Sequence, residues 1–566
     1  MDIVLVGLSG SGKTEVARRL SARSGGGRRL IDIDAEIERE AGRSIATIFE
    51  EDGEPAFRAL ERSVIERLPA PGFEAAGDGR ATGSVIATGG GSVIDPRNRW
   101  RLHRGRFVVW LDAPTAVLAA RGAGAAAAVR PLLAGDLEGT LDRLRHERGP
   151  WYAAADAIVD ASGPVDEVVG DVERLIAKAE TADRGSAPRP SDGRGQAAAL
   201  LRADSPVGRL VVGDGIAAAA VDAELRAAGA ERAIVLTEPA AWRAVGEELS
   251  AGLAAGDWRM ALVELPAGEA AKRLAIVESA AEQLVRLGIE RGEPVVAVGG
   301  GALTDTAGLV AAMTLRGVPW IAVPTTLAGQ LDAAIGGKTA VNLAAGKNLI
   351  GAFHPPLATI DDIACLGTLP IRDRRAALAE AVKVGFLGEE RLLEVLEVDG
   401  PAIAEAAPAS DAALAEVVER SAMFKLRVAI ADPREAGERI ALNLGHTLGH
   451  ALEVATGYGG LLHGEAVAYG LRLAGRLALA RRAAVETRIR RLEDLLDRLW
   501  LGVDPVAVDA AEILDRIGFD KKRRDGRVRW VLPTDDGWMV DDGIPVDLVA
   551  SLIEPVVAGH VAAVGR

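Results

Sequence analysis

The chain has 566 residues, 49% of them apolar and 26% charged. That is a globular composition, and the length exceeds what one hydrophobic core supports, so two or more domains are expected. A formal charge of −15 argues against a general nucleic-acid binder, because phosphate backbones demand a positive surface. The single cysteine, Cys365, excludes an internal disulfide framework and fits a reducing compartment. No apolar run is long enough to span a bilayer, and the N-terminus runs straight into a strand, leaving no room for a signal peptide. A cytoplasmic protein with neither membrane nor nucleic-acid partners is expected.

Residues 2–6 read as a strand, Gly7-Leu-Ser-Gly-Ser-Gly-Lys13-Thr14 follows, and residues 15–23 read as a helix. This is the P-loop pattern in its strand–loop–helix context. Gly10, Ser11 and Gly12 turn backbone N–H groups toward phosphate oxygens. Lys13 neutralises the β/γ-phosphates, and the Thr14 hydroxyl is placed for Mg2+. Asp32 and Asp34 follow a second strand, at the carboxyl end where α/β ligands gather. Asp32 is a second candidate for the Mg2+; Asp34 serves equally well as the cap of a helix over residues 35–41. Taken alone, Arg58 reads as a solvated helix charge and Gly89-Gly90-Gly91, after a strand at residues 84–88, as a turn. The Gly/Ala-rich residues 121–129 suit a mobile lid.

Residues 181–196, TADRGSAPRPSDGRGQ, carry almost no apolar side chains and read as a linker. Beyond it, residues 210–212, 233–237, 294–298 and 320–323 read as buried strands separated by helices. From Leu366 helical patterns dominate, up to a strand at residues 529–533. The second module therefore divides into an α/β half and a mainly helical half. Gly299-Gly300-Gly301-Ala-Leu-Thr-Asp305 opens a helix after a strand, a turn that lets backbone approach a pyrophosphate, although a structural turn reads nearly as well. Thr325 and Thr326, Gly336-Gly337-Lys338 and Gly346-Lys347-Asn348 add anion-suited loops. Residues 443–466 hold three of the seven histidines, His446, His450 and His463. His446 and His450 are four apart on one helix face, roughly 5–6 Å between Cβ atoms. Imidazole is the commonest ligand for zinc-like metals, and a catalytic metal needs about three protein ligands, so a metal-dependent enzyme is indicated.

The stretches GLSGSGKT, IDIDAEIE, EDGEPAFRALE, ATGGGSV, Arg130-Pro-Leu-Leu and Glu-Arg148-Gly-Pro-Trp-Tyr resemble shikimate kinase over nearly all of residues 1–178. The resemblance implies a P-loop kinase domain, a parallel sheet with flanking helices, that transfers phosphate from ATP with Mg2+ to shikimate. Asp34, Arg58, Gly89, Gly90, Gly91 and Arg148 then bind shikimate, and Arg130 is the lid arginine over ATP. Lys13, Asp34 and Arg130 would be its catalytic groups. Two departures are a longer insertion at residues 70–84 and Trp151 in place of an aliphatic residue.

The stretches AVGGGALTDTAGLVAA, VPTTLAGQLDAAIGGKTAVN, GKNLIGAFHPP, LAEAVKVG, NLGHTLGHALE, LHGEAVAYG and Asp520-Lys521-Lys522 resemble 3-dehydroquinate synthase over residues 207–564. The resemblance implies a Rossmann-like α/β half and a mainly α-helical half that use NAD and Zn2+ or Co2+. Such an enzyme converts 3-deoxy-D-arabino-heptulosonate 7-phosphate into 3-dehydroquinate and phosphate, with NAD regenerated in each turnover. The metal ligands carried over are Glu380, His446 and His463, so His450 belongs to the substrate phosphate rather than to the metal. The heptulosonate phosphate falls to Arg316, Asp332, Lys338, Asn348, Lys383, Lys425, Arg439, Asn443, His450, Lys521 and Lys522, with Arg316 reaching across a homodimer interface. Lys338, Lys383, Asn443 and His450 are the implied catalytic groups. NAD falls to Gly268, Glu269 and Lys272, to Gly301, Ala302, Leu303, Thr304 and Asp305, to Thr325, Thr326, Lys338 and Lys347, and to Cys365, Leu366, Gly367 and Thr368. Val384, Ala377 and the Leu327-Ala-Gly-Gln-Leu stretch depart from the family without replacing a ligand.

The expected organisation is a kinase domain at 1–180, a linker at 181–206, an NAD-binding half at 207–370 and a metal-binding half at 371–566. Together they give a bifunctional shikimate-pathway enzyme, a phosphotransferase joined to a carbon–oxygen lyase, whose two steps are not consecutive. The rivals are a sugar-phosphate cyclase of secondary metabolism fused to another small-molecule kinase, and a chain with one module inactive and regulatory.

Overall fold

The first apolar run, Ile3 to Val6, is completely buried and forms the centre of a parallel sheet. The computed structural model describes residues 1–24, 27–71, 83–122, 136–185, 197–343, 346–457, 460–518, 523–524 and 527–558. They form two compact units, one of residues 1–204 with 211–216 and the other of residues 205–210 with 217–566.

The first unit runs β1 (Ile3–Val6), α1 (Lys13–Arg23), β2 (Arg29–Asp32), α2 (Ile33–Ala41), α3 (Ile45–Glu51), α4 (Gly53–Glu66), β3 (Ser84–Ala87), α5 (Pro96–His103), β4 (Phe107–Asp112), α6 (Thr115–Gly122), α7 (Leu137–Tyr152), β5 (Ala157–Asp160) and α8 (Val165–Gly185). Its strands pair in parallel in the order β2-β3-β1-β4-β5, so the loops after β1, β2 and β3 open on one edge. Helix α1 begins at Lys13, earlier than expected, because Gly12 stands as its N-cap in the left-handed region at φ 88°. Helix α2 also begins early, and its cap is Asp32, which accepts from Ala35 N at 3.2 Å, rather than Asp34. The stretch expected as linker is ordered at both ends. Helix α8 continues to Gly185, and Ala198–Ala203 forms β6, bonded to β7 (Arg209–Asp214); residues 186–196 lie outside the described residues.

The second unit continues α9 (Ala217–Ala227), β8 (Ala233–Thr237), α10 (Pro239–Ala255), β9 (Met260–Glu264), α11 (Leu274–Arg286), β10 (Val295–Gly299), α12 (Gly301–Met313), β11 (Trp320–Pro324), β12 (Lys338–Leu343), β13 (Gly346–Phe353) and β14 (Ala358–Asp362). Strands β8, β10, β11 and β14 are buried throughout, as the continuous apolar runs require of a parallel sheet covered on both faces. With β9 added at one edge, their order is β14-β11-β10-β8-β9. The segments expected as lysine-bearing loops are instead an antiparallel hairpin: Lys338 opens β12 opposite Phe353, and Lys347 and Asn348 lie in β13. The helical half follows with α13 (Ile371–Phe386), α14 (Glu390–Ala404), α15 (Asp411–Ala431), α16 (His446–Ala455), α17 (His463–Ala480), α18 (Glu486–Arg498) and α19 (Ala510–Gly518). Among the described residues no helix is long and apolar enough to cross a membrane.

Candidate functional site

In the first unit the glycine loop closes on itself. Lys13 Nζ donates to the carbonyls of Gly7 at 2.8 Å and Leu8 at 3.0 Å, which places a buried ammonium inside the loop. The Thr14 hydroxyl donates to Asp32 Oδ2 at 2.7 Å, so the two groups expected to share Mg2+ are already adjacent. The second cluster gathers beside the loop after β3. A Cβ on Gly89 would lie 2.8 Å from Asp34 Oδ1, and one on Gly91 would lie 2.4 Å from Arg58 Nη2. These close approaches explain why glycines stand there. Arg148 donates to Gly90 O at 2.9 Å. Asp34, Arg58, Gly89, Gly90, Gly91 and Arg148 are thus brought together at one edge. Arg130 and residues 123–129 of the expected lid lie outside the described residues, while Arg121 is tied to Ala161 O at 2.7 Å.

In the second unit the glycine turn after β10 sits at the N-terminus of α12, and Gly301, Ala302, Leu303, Thr304 and Asp305 form its first turns. Lys272 Nζ reaches Asp305 Oδ2 at 2.5 Å and Asn348 Oδ1 at 2.6 Å. Lys347 Nζ bridges Glu269 Oε1 at 3.1 Å and Glu453 Oε1 at 2.8 Å. Gly268 and Glu269 lie in a short 3-10 turn after β9, and Thr325 N donates to Gly299 O at 3.0 Å, with Thr326 beside it. Cys365, Leu366, Gly367 and Thr368 lie in another such turn after β14, capped by Asp362. The expected nucleotide contacts therefore collect around the carboxyl ends of the sheet, where α/β folds bind ligands.

Beyond them lies a cluster of buried charge. Single ligand atoms of Glu380, His446 and His463 all lie within 4.8 Å of one another. Glu380 Oε1 is 3.2 Å from His463 Nε2 and 3.5 Å from His446 Nε2. His446 Nδ1 lies 3.1 Å from Leu444 O; donation to that carbonyl assigns the tautomer whose Nε2 is the ligating nitrogen. The His450 ring stands 5.4 Å from that of His446 and outside the three-ligand group. Lys383 pairs with Glu380, and Lys425 Nζ lies 2.5 Å from Asp332 Oδ1. Burial alone would raise the Asp332 carboxyl, but Lys383 and Lys425 hold it well below the usual range. Burial opposes a charge on His463, yet Glu380 and Glu453 outweigh it and push the ring up to about 10. One glutamate with two imidazoles is a zinc-type donor set.

Lys338 Nζ pairs with Glu435 Oε2 at 2.7 Å, and Asn443 Nδ2 donates to Glu435 Oε1 at 3.2 Å. Arg439 is fully buried and donates to Gly336 O at 3.1 Å and Pro433 O at 3.0 Å. Arg316 stands apart from these groups, exposed on a turn where Leu315 and Arg316 are both left-handed, at φ 50° and 70°. Lys521 and Lys522 lie outside the described residues.

Sequence reasoning missed four carboxylates. Glu61 holds Arg58 at 2.8 Å and accepts from Ser92. Glu238 accepts from Gly268 N at 2.9 Å and Gly300 N at 3.3 Å. Glu435 and Glu453 complete the set. For two of them spacing carried a signal: Glu61 stands three residues from Arg58 and Glu453 three from His450, one turn along the same helix face.

The fold and these clusters define a P-loop phosphotransferase module and, separately, an α/β-plus-helical module of the nucleotide- and metal-dependent synthase type. Residues 9–177 match the profile described as Shikimate kinase, residues 262–376 that of 3-dehydroquinate synthase N-terminal, and residues 377–523 that of 3-dehydroquinate synthase C-terminal. The chain is 41% identical over 301 residues to 3-dehydroquinate synthase of Pelobacter propionicus, which covers 53% of this chain and 83% of that one. It is 42% identical over 332 residues to the same enzyme of Solibacter usitatus, covering 58% and 88%. Among solved structures it is similar to ValA, the 2-epi-5-epi-valiolone synthase of Streptomyces hygroscopicus subsp. jinggangensis 5008, solved with NAD+ and Zn2+ bound. That likeness has a TM-score of 0.57 and 29% identity, and covers 62% of this chain and 98% of that one. The chain belongs to the 3-dehydroquinate synthase family and carries a shikimate kinase module ahead of it, which makes it a bifunctional shikimate-pathway enzyme. The secondary-metabolism alternative is not favoured: identity to the valiolone synthase is lower than to the dehydroquinate synthases.

Proposed function

We propose that Glu380, His446 and His463 hold the divalent metal, zinc or cobalt, and that Gly268, Glu269, Lys272, residues 301–305 and 325–326, Lys338, Lys347 and residues 365–368 hold NAD. The observation that carries this is the convergence of three ligand atoms within 4.8 Å beside buried lysines and a helix N-terminus. When bound, the metal polarises a substrate oxygen and NAD+ accepts a hydride. The chain's own groups do the rest. Lys383 and Lys425 keep Asp332 ionised beside the metal cluster, and Lys338, Arg439, Asn443 and His450 hold the heptulosonate phosphate.

In the kinase module the Lys13 ammonium neutralises transferring phosphate, and Thr14 with Asp32 holds Mg2+. Asp34 orients the attacking hydroxyl, while Arg58 and Arg148 hold the shikimate carboxylate by charge-assisted hydrogen bonds. The second module forms the homodimer, with Arg316 serving the neighbouring site. Supporting this, Met313 and Leu315, just before and on that turn, are apolar side chains 54% and 38% exposed. The buried, free Cys365 supports a cytoplasmic location.

One pair of assays tests the reading. Phosphate release from 3-deoxy-D-arabino-heptulosonate 7-phosphate is measured with NAD+ and Zn2+, and ATP-dependent phosphorylation of shikimate is measured separately. Chelation should abolish the first alone, and Lys13→Ala the second alone; failure of the wild-type chain to turn over either substrate sinks it.

A further inference from the structure

One buried carboxylate stands between the metal cluster and the cofactor stretch. Glu453, on α16, has a side chain only 3% exposed. Its Oε1 lies 3.4 Å from His463 Nδ1 and 2.8 Å from Lys347 Nζ. Its other oxygen is buried with no hydrogen-bond partner among the described residues. Both contacts therefore fall on the same atom. His463 continues the line to Glu380 at 3.2 Å, and Lys347 continues it to Glu269 at 3.1 Å.

A carboxylate on the outer nitrogen of a metal-binding histidine sets its tautomer, its ring orientation and its basicity as a ligand. An ammonium sharing that oxygen draws off electron density, so the two bonds compete. Anything that moves Lys347 or Glu269 changes how strongly Glu453 acts on His463. We infer that Glu453 is a positioning residue that couples occupancy of the cofactor stretch to the affinity of the metal cluster. The inference rests on the cofactor and metal assignments proposed above.

The full chain, stripped of metal and nucleotide, is titrated with Zn2+ against a chromophoric chelator at one fixed pH, with and without saturating NAD+. In the wild type NAD+ should change Zn2+ affinity about fivefold or more, and Zn2+ should change NAD+ affinity by the same factor, as linkage requires. In Glu453→Gln, which keeps the shape and loses the charge, both ratios should fall to within about twofold of one. The visible spectrum of the Co2+-loaded chain should shift on adding NAD+ in the wild type and stay fixed in the variant. Should Glu453→Gln not fold, by its thermal midpoint, Lys347→Met breaks the same line from the other end and should give the same loss. A ratio of one in a wild type that binds both ligands overturns the inference, as does an undiminished ratio in the variants. A wild type that binds neither ligand overturns the cofactor and metal assignments instead.

Discussion

Gly91→Ala offers the sharpest test of the kinase pocket. Gly91 has φ −107°, an ordinary value for alanine, so the backbone does not resist the change. The new methyl carbon would instead stand 2.4 Å from Nη2, 2.6 Å from Nη1 and 2.8 Å from Cζ of Arg58. Those atoms are the far end of a flexible side chain, so the guanidinium swings away from its partners Glu54 and Glu61 and the fold survives. The loss is then one of substrate binding. Hydrogen bonds to a charged partner contribute about 1.5–3 kcal/mol, which corresponds to a rise in the KM for shikimate of about 10- to 150-fold. The assay is steady-state kinetics with shikimate varied at saturating ATP, with synthase activity of the same preparation as the folding control. Arg58→Ala should fall in the same range. A KM in Gly91→Ala close to that of the wild type, with the synthase intact, would show that Arg58 does not hold the substrate.

Glu380→Ala should remove metal from the second module and reduce phosphate release to background while shikimate phosphorylation persists; metal analysis after dialysis checks it, and retained stoichiometric zinc would refute it. Burial pushes Lys338 down to about 8, against the partial support of Glu435. The charged form binds phosphate, so affinity for the heptulosonate phosphate should fall as pH rises through about 8, and a profile flat from pH 7 to 9.5 would contradict the role given to Lys338. Asp361 is fully buried with both carboxyl oxygens unpartnered among the described residues, and burial raises it well above the usual range. A raised carboxyl keeps its proton in the folded state, so it costs stability progressively as pH rises above about 4, the unfolded value. Asp361→Asn should therefore raise the thermal midpoint at pH 8 and not at pH 4; equal shifts at both would contradict a protonated carboxyl.

What the sequence revealed depended on how local the signal was. The P-loop was legible because its strand, loop and helix are contiguous, and each glycine has a stated task. The strand at Ala233–Thr237 was read to the residue because a fully buried parallel strand is an unbroken apolar run. The hairpin of β12 and β13 was not, since its lysines and asparagine interrupt any alternation and only cross-strand pairing fixes it. The same holds for Ala198–Ala203, whose alanines favour no strand until β7 bonds to them. In the metal cluster His446 and His463 lie within one window, but Glu380 is distant in sequence and came only with the family resemblance. Glu61, Glu238, Glu435 and Glu453 were passed over because a single acidic residue is most often solvated. What marks each is its neighbour in space.

The charge balance of the synthase site explains why so many ions are buried together. Each buried ion costs several kcal/mol of desolvation, so an uncompensated group would unfold the site. Around the cluster the carboxylates of Glu380, Asp332 and Glu453 are matched by the ammonium groups of Lys383, Lys425 and Lys347, and Glu435 is matched by Lys338. With neutral histidines the set carries no excess charge, and the strong hold of His463 on its proton makes it positive. A divalent metal held by Glu380, His446 and His463 would take the place of that proton and make the pocket more positive, next to the fully buried guanidinium of Arg439. A phosphorylated acid would then be drawn to a site whose positive excess comes with the metal and Arg439, while Lys383, Lys425 and Lys347 keep the carboxylates ionised. This division of labour accounts for Lys383, which is buried against Glu380 where a hydrophobic residue would otherwise be less costly.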